Sequence, residues 1–280
     1  MAHLSSPVVE EHRPGIGHLD VVRSAARSVV TRAYATSPLR LLTPRSHGLA
    51  AWVYTSSYGG GLLGGDDVRL AVRVGAGARA FLSTQASTKI YRSDASTSLG
   101  LHAHVATGGH LIVWPDPVVC YAGSTCVQRQ HVDLEAGAAL VLVDGMTSGR
   151  RGSGERWQFT RYATRLSVHY DRRLVLHDAI DLCAADGELP ARMGRFDVLC
   201  TAVVAGEPLR DCAARIVATI AAKPIERRAD VLIAASPIGA GIGCVLRLAG
   251  RSAEEVARTL REQLSFIACL LGDDPWARKW

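Results

Sequence analysis

The chain has 280 residues, 48% of them apolar, and a formal net charge of +6. That length and composition support a continuous core and exclude a disordered chain. Lys stands only at positions 89, 223 and 279, so the positive charge rests on arginine. With 6% aromatics and no basic cluster, the pattern argues against a nucleic-acid binder and suits a partner with an acidic face.

In chain order, residues 1–18 carry His, Glu and Pro where a signal peptide has an apolar centre, so this stretch is expected to be a flexible tail and the protein cytosolic. No apolar run reaches the eighteen or so residues of a membrane span. Gly59-Gly60-Gly61-Leu62-Leu63-Gly64-Gly65-Asp66-Asp67 frees the backbone and places Asp66 at a strand start. From about residue 67 to 178 the period is two: Val68, Leu70, Val72 and Val74 share one face, with Arg69 and Arg73 on the other. A weak echo recurs roughly every thirty residues, at 74–82, 105–113, 134–142 and 170–176, each a strand, a short turn and a second strand. The echo suits stacked solenoid units, and it equally suits hairpins in a sandwich. Residues 157–170 show both parities, which a bulge near Arg161 would reconcile.

Helical spacing begins late. Leu209, Cys212, Ile216 and Ile220 predict one helix, and Val256, Leu260, Leu264 and Ala268 predict another that starts after Ser252, with Glu255 three residues on. Between them, residues 230–234 and 244–248 read as strands joined by a Pro/Gly loop. The expected fold is therefore mainly β, of stacked or layered strands, either solenoid-like or a sandwich, with two C-terminal helices. No linker divides it, so one domain over residues 1–280 is expected.

Seven cysteines without a Cys-x-x-Cys pair point to buried small apolar residues, not to disulfides or a zinc knuckle. A phosphate loop needs glycines followed by Lys and Ser or Thr, whereas Asp66-Asp67 follow Gly64-Gly65, so nucleotide binding is disfavoured. No Gly-x-Ser-x-Gly, His-Glu-x-x-His or dinucleotide fingerprint is present. His102 and His104, two apart on a strand, face the same way and supply half a metal site, or simply two solvent-facing rings with no third ligand in view. His47, after a turn, is equally ambiguous. Asp66 and Glu155 each follow a glycine at an element boundary; such acids serve acid/base work, cation binding or a polar passage, or else cap a turn or pair with Arg150 or Arg156. Asp144 is either a third acid or an Asx turn.

Residues 75–93, GAGARAFLSTQASTKIYRS, closely resemble the signature block of the urease accessory protein UreD (UreH) family. Within it and just upstream stand Gly64, Gly65, Thr84, Gln85, Lys89, Tyr91 and Arg92. The resemblance continues, in the family's order, through Ser37-Pro38-Leu39-Arg40, Pro115-Asp116-Pro117-Val118, Gly149-Arg150, Gly154-Glu155-Arg156-Trp157 and the terminal Trp280. It departs at Val118-Val119-Cys120-Tyr121, where members often carry Pro-Phe, and at Arg278-Lys279-Trp280. It implies a non-enzymatic chaperone with no tightly bound cofactor. Such a scaffold binds apo-urease and UreF, and through UreF the GTPase UreG, with no nucleic acid or membrane partner. It also implies nickel in transit along an internal route that Asp66, Glu155 and Asp144 line, to which Cys120 adds a soft ligand if it is not a buried structural thiol. The alternatives are a metal-dependent hydrolase or lyase on a β-solenoid using Asp66 and Glu155, and a β-sandwich binding module, for which exposed aromatics are scarce.

Overall fold

A computed structural model describes residues 14–224 and 226–277; the first thirteen residues of the expected tail and the terminal Trp280 lie outside them. The strands are β1 (Gly15–Ser24), β2 (Arg27–Ala35), β3 (Leu39–Leu42), β4 (Ala51–Ser57), β5 (Asp67–Val74), β6 (Arg79–Thr84), β7 (Lys89–Ile90), β8 (Thr97–Val105), β9 (His110–Val113), β10 (Val118–Cys120), β11 (Thr125–Leu134), β12 (Ala139–Thr147), β13 (Arg161–Tyr170) and β14 (Arg173–Cys183). Then come helix α1 (Leu189–Met193), β15 (Val198–Ala205), α2 (Arg210–Ala221), β16 (Val231–Ile238), β17 (Gly243–Gly250), α3 (Ala253–Gln263) and α4 (Ile267–Leu271). With 48% strand and 18% helix, the protein is mainly β, as the periodicity predicts. The expected tail ends early: Gly15 to His18 open β1, where Gly17 aligns with Leu70 of β5.

Two sheets face each other. The outer one runs β14-β13-β11-β8-β5-β1-β2, and the inner one β16-β17-β15-β12-β9-β6-β4-β3, with β10 beside β12 and β7 beside β10. Successive units pair in parallel, which hairpins cannot do. Val68 aligns with Leu99 and Leu99 with Gln128 in the outer sheet, while Ala51, Ala80, Leu111 and Leu140 align in the inner one, each about thirty residues beyond the last. The turns that carry the chain from one sheet to the other stack as well. Their glycines Gly77, Gly108 and Gly137 hold φ of +65°, +69° and +76°, a region costly for residues with a Cβ. The fourth echo behaves differently. Asp171 and Arg172, both at positive φ, form the two-residue turn of an antiparallel hairpin between β13 and β14. The solenoid reading therefore holds for the first three units and the hairpin reading for the last.

Burial explains the two sequence textures. The outer sheet has one wet face, so β5 alternates Val68, Leu70, Val72 and Val74 inward with Arg69 and Arg73 outward. The inner sheet is covered on both faces, so β12 opens with the unbroken apolar run Ala139-Leu140-Val141-Leu142-Val143. Leu140 and Leu142 enter the core between the sheets, while Val141 and Val143 join Trp52, Phe81, Ile112 and Trp114 beneath the helices.

Three boundary expectations change. Trp157 and Phe159 precede β13 instead of sitting in it, and the register shift falls between Val168 and His169, not at Arg161. The mixed parity came from a buried loop. The second helix begins as expected, with Ser252 Oγ accepting from Glu255 N at 3.2 Å, but ends at Gln263 and restarts as α4. The break turns α4 so that the Leu271 carbonyl accepts from Leu49 N and Ala50 N. The strands around the Pro/Gly loop are longer than expected, and Pro237 lies within β16.

Candidate functional site

All parallel strands of the outer sheet start at one end of the stack, and the inner strands finish there, opposite the glycine turns. Most of the described resemblance residues lie at this end, while residues 75–78 of the signature block form a glycine turn at the other. Leu62, Ile90 and Cys120 add a short third ladder: Leu62 N donates to Lys89 O at 2.8 Å, Tyr91 N to Leu62 O at 2.9 Å, and Tyr121 N to Ile90 O at 3.0 Å. On its outside the Tyr91 and Tyr121 rings meet edge to face at 5.2 Å, and the Arg150 guanidinium lies 4.1 Å from the Tyr121 centroid. Arg150 in turn binds the Glu155 carboxylate, which also accepts from Ala122 N at 3.1 Å. Arg150 holds the Glu155 carboxyl below its usual range, with the Ala122 amide helping and partial burial opposing. Arg92 packs its stem against Gly123, and the segment around Gly149 and Gly154 closes the turn that presents Arg150.

Asp66 fulfils the turn-capping expectation. Its Oδ2 accepts from Leu63 N at 2.8 Å and its carbonyl from Ser98 N at 2.8 Å. Gly64 must be glycine because a Cβ there would stand 2.3 Å from the Ala95 carbonyl oxygen. Thr84 tethers the Pro115-Asp116-Pro117 bend: Asp116 N donates to Thr84 Oγ1 at 2.8 Å, and Gln85 N to Thr55 O at 2.9 Å. Lys89 is exposed on β7.

Asp144 is not an Asx turn. It projects from β12 into the space between the sheets, where Gln128 and Gln130 donate Nε2–H at 2.9 and 3.0 Å and Thr164 donates its hydroxyl at 2.8 Å. Asp144, Gln128 and Gln130, with Thr84 and Asp116, border a gap of about 140 Å³ that apolar side chains such as Leu70, Leu82 and Leu101 otherwise line. Burial raises the Asp144 carboxyl above its ordinary 3.8, the three hydrogen bonds oppose that, and the Asp178 charge adds to it. Sequence reasoning missed Gln128 and Gln130, although they share parity with the buried Val132 and Leu134 and so announced polar side chains on an inward face. It also missed Asp197, a buried acid that Arg151 and Arg156 clamp beside Trp157, whose indole N–H donates to Phe196 O at 2.9 Å.

Cys120 is buried, and its hydrogen bond to Cys126 pushes the Cys126 thiol well above its usual value, followed by burial and nearby charge. The burial of Cys120 suits the structural reading better than a ligand open to a passing ion. His102 and His104 do face one way, outward from β8, on the opposite side of the outer sheet from Asp144. His47 lies in the segment before β4.

The arrangement is that of a helix-backed, two-sheet β-stack with a buried acid and two amides bordering a small gap between the sheets and a ladder of signature residues closing one end. The model of the UreD urease accessory protein family matches residues 14–280. The chain is 52% identical over 268 residues to the urease accessory protein UreD of Sorangium cellulosum (96% of this chain, 85% of the relative) and 43% identical over 268 residues to that of Anaeromyxobacter (95% and 90%). It is also 30% identical over 289 residues to urease accessory protein D of Oryza sativa (93% and 94%). The chain belongs to the UreD family of urease accessory proteins.

Proposed function

We propose that the chain is a non-enzymatic scaffold of urease maturation. It binds apo-urease and UreF, reaches the GTPase UreG through UreF, and assists nickel insertion. The observation that carries this reading is the family match over residues 14–280, which takes in every described residue. The work takes place in the cytosol, without nucleic acid or membrane; among the described residues no helix is long and apolar enough to cross a bilayer. Nickel is cargo, not a resident cofactor. The gap into which Asp144, Gln128 and Gln130 project supports an interior passage, and Asp66 and Glu155 would extend it through the loops at the signature end of the stack.

Co-expression with the neighbouring urease proteins, followed by affinity purification of this chain, tests the reading. UreF and urease subunits are expected to co-purify, and the nickel content of urease to fall when this chain is omitted. A chain that stays monodisperse, gives no heat when titrated with UreF and leaves nickel content unchanged would overturn it.

A further inference from the structure

The solvent face of the outer sheet carries a cluster that the scaffold reading does not use. In the parallel register His131 of β11 lies beside His102 of β8, and Asp133 beside both His104 of β8 and His169 of β13. The His102 and His131 rings are 5.0 Å apart and those of His131 and His169 4.9 Å, so three imidazoles from three strands form a row. They converge on one carboxylate. His131 Nε2 is 3.0 and 3.1 Å from the two Asp133 oxygens, His102 Nε2 is 3.3 Å from Oδ2, and His169 Nδ1 is 3.7 Å from Oδ1. His169 Nδ1 is buried and has no hydrogen-bond partner. A buried ring nitrogen aimed at a carboxylate yet too far to bond it is the arrangement that a bridging ion completes.

We propose that His102, His131 and Asp133 bind one borderline divalent first-row cation of the zinc or nickel type, with the unpartnered His169 beside them. The donor set of imidazoles plus a carboxylate suits that class and not calcium or magnesium, which take oxygen ligands. The spacing from the carboxylate fits too: metal–ligand bonds of about 2.0–2.1 Å in a tetrahedron put donor atoms roughly 3.3 Å apart, and the His131 and His102 nitrogens stand 3.0 and 3.3 Å from Asp133 oxygens. The donor atoms of His102, His131 and Asp133 lie within 4.8 Å of one another. His104, held at 3.3 Å from Glu135, flanks the site without joining it. This site lies on the wet face of the sheet and is independent of the interior passage.

The test titrates the full chain, freed of metal, with Zn(II) and with Ni(II) in competition with a chromophoric chelator. Side-chain exposures of 65% for His102, 41% for His131 and 39% for Asp133 mean that His131→Ala and Asp133→Asn leave the core intact, which a melting curve checks. Both substitutions are expected to weaken one saturable site by at least about tenfold, since losing even a group behind a ligand costs that much. Co(II) bound to the wild type is expected to show four-coordinate visible bands that His131→Ala abolishes. No saturable binding by the wild type, or equal binding by His131→Ala and Asp133→Asn, would overturn the proposal.

Discussion

At the scale of single residues, the acids differ by what already holds them. Asp66 spends one oxygen on the Leu63 amide, so Asp66→Ala should cost about 1 kcal/mol, as lost caps do. Asp66→Asn keeps an acceptor for that amide and removes only the charge. If Asp66 lines the nickel passage, urease co-expressed with Asp66→Asn should contain less nickel while the variant melts near the wild type; unchanged nickel would make its role structural. Asp144 makes a pH prediction. Because its folded pKa is raised above 3.8, the folded state binds the proton more tightly than the unfolded chain. The stability it contributes is full below 3.8 and declines as pH climbs through the folded value. Melting temperatures from pH 4 to 8 should therefore show the wild type losing ground to Asp144→Asn as pH rises, then holding a constant offset. A difference that shrinks with rising pH would mean the carboxylate is stabilised, not strained, by its burial.

Among the elements, the repeat was legible because it is written in the residues that every turn of the stack needs: small turn residues at 77, 108 and 137, and apolar side chains at alternate positions beyond them. The interior amides were written just as openly, in Gln128 and Gln130, but need the neighbouring strand to reveal their partner. The histidine row was half legible. Spacing alone put His102 and His104 on one face, whereas His131, Asp133 and His169 join only through the parallel register, a long-range fact. The buried Trp157 loop was misread as strand because a buried loop alternates for reasons of packing, not pleat. One glycine tests the signature geometry: Gly64→Ala forces its new methyl against the Ala95 carbonyl, and a loss of about 1–3 kcal/mol is expected in urea denaturation. A neutral result would mean that the Leu63–Asp66 turn yields readily.

For the molecule as a whole, the inner sheet depends on its helices. Leu260, Leu264, Ile267 and Leu271 are at most 2% exposed against the second core, which also holds Trp52, Phe81, Ile112 and Trp114. Removing the chain from Ser252 onward uncovers that apolar sheet face. The truncated protein should bind a hydrophobic dye strongly and associate, and a monomeric, dye-silent truncation would show that the helices are dispensable. The far side of the same sheet has another exposure to manage. β16 is an edge strand, and an edge strand offers unpaired amides on which a second chain can crystallise as an added strand. Pro237 stands one residue from the end of that edge and has no amide to offer. Pro237→Val should raise light scattering in concentrated, partner-free protein without changing its melting temperature much. A stack built by adding strand upon strand thus carries its own stop, which keeps a protein made to be held by others from growing on copies of itself.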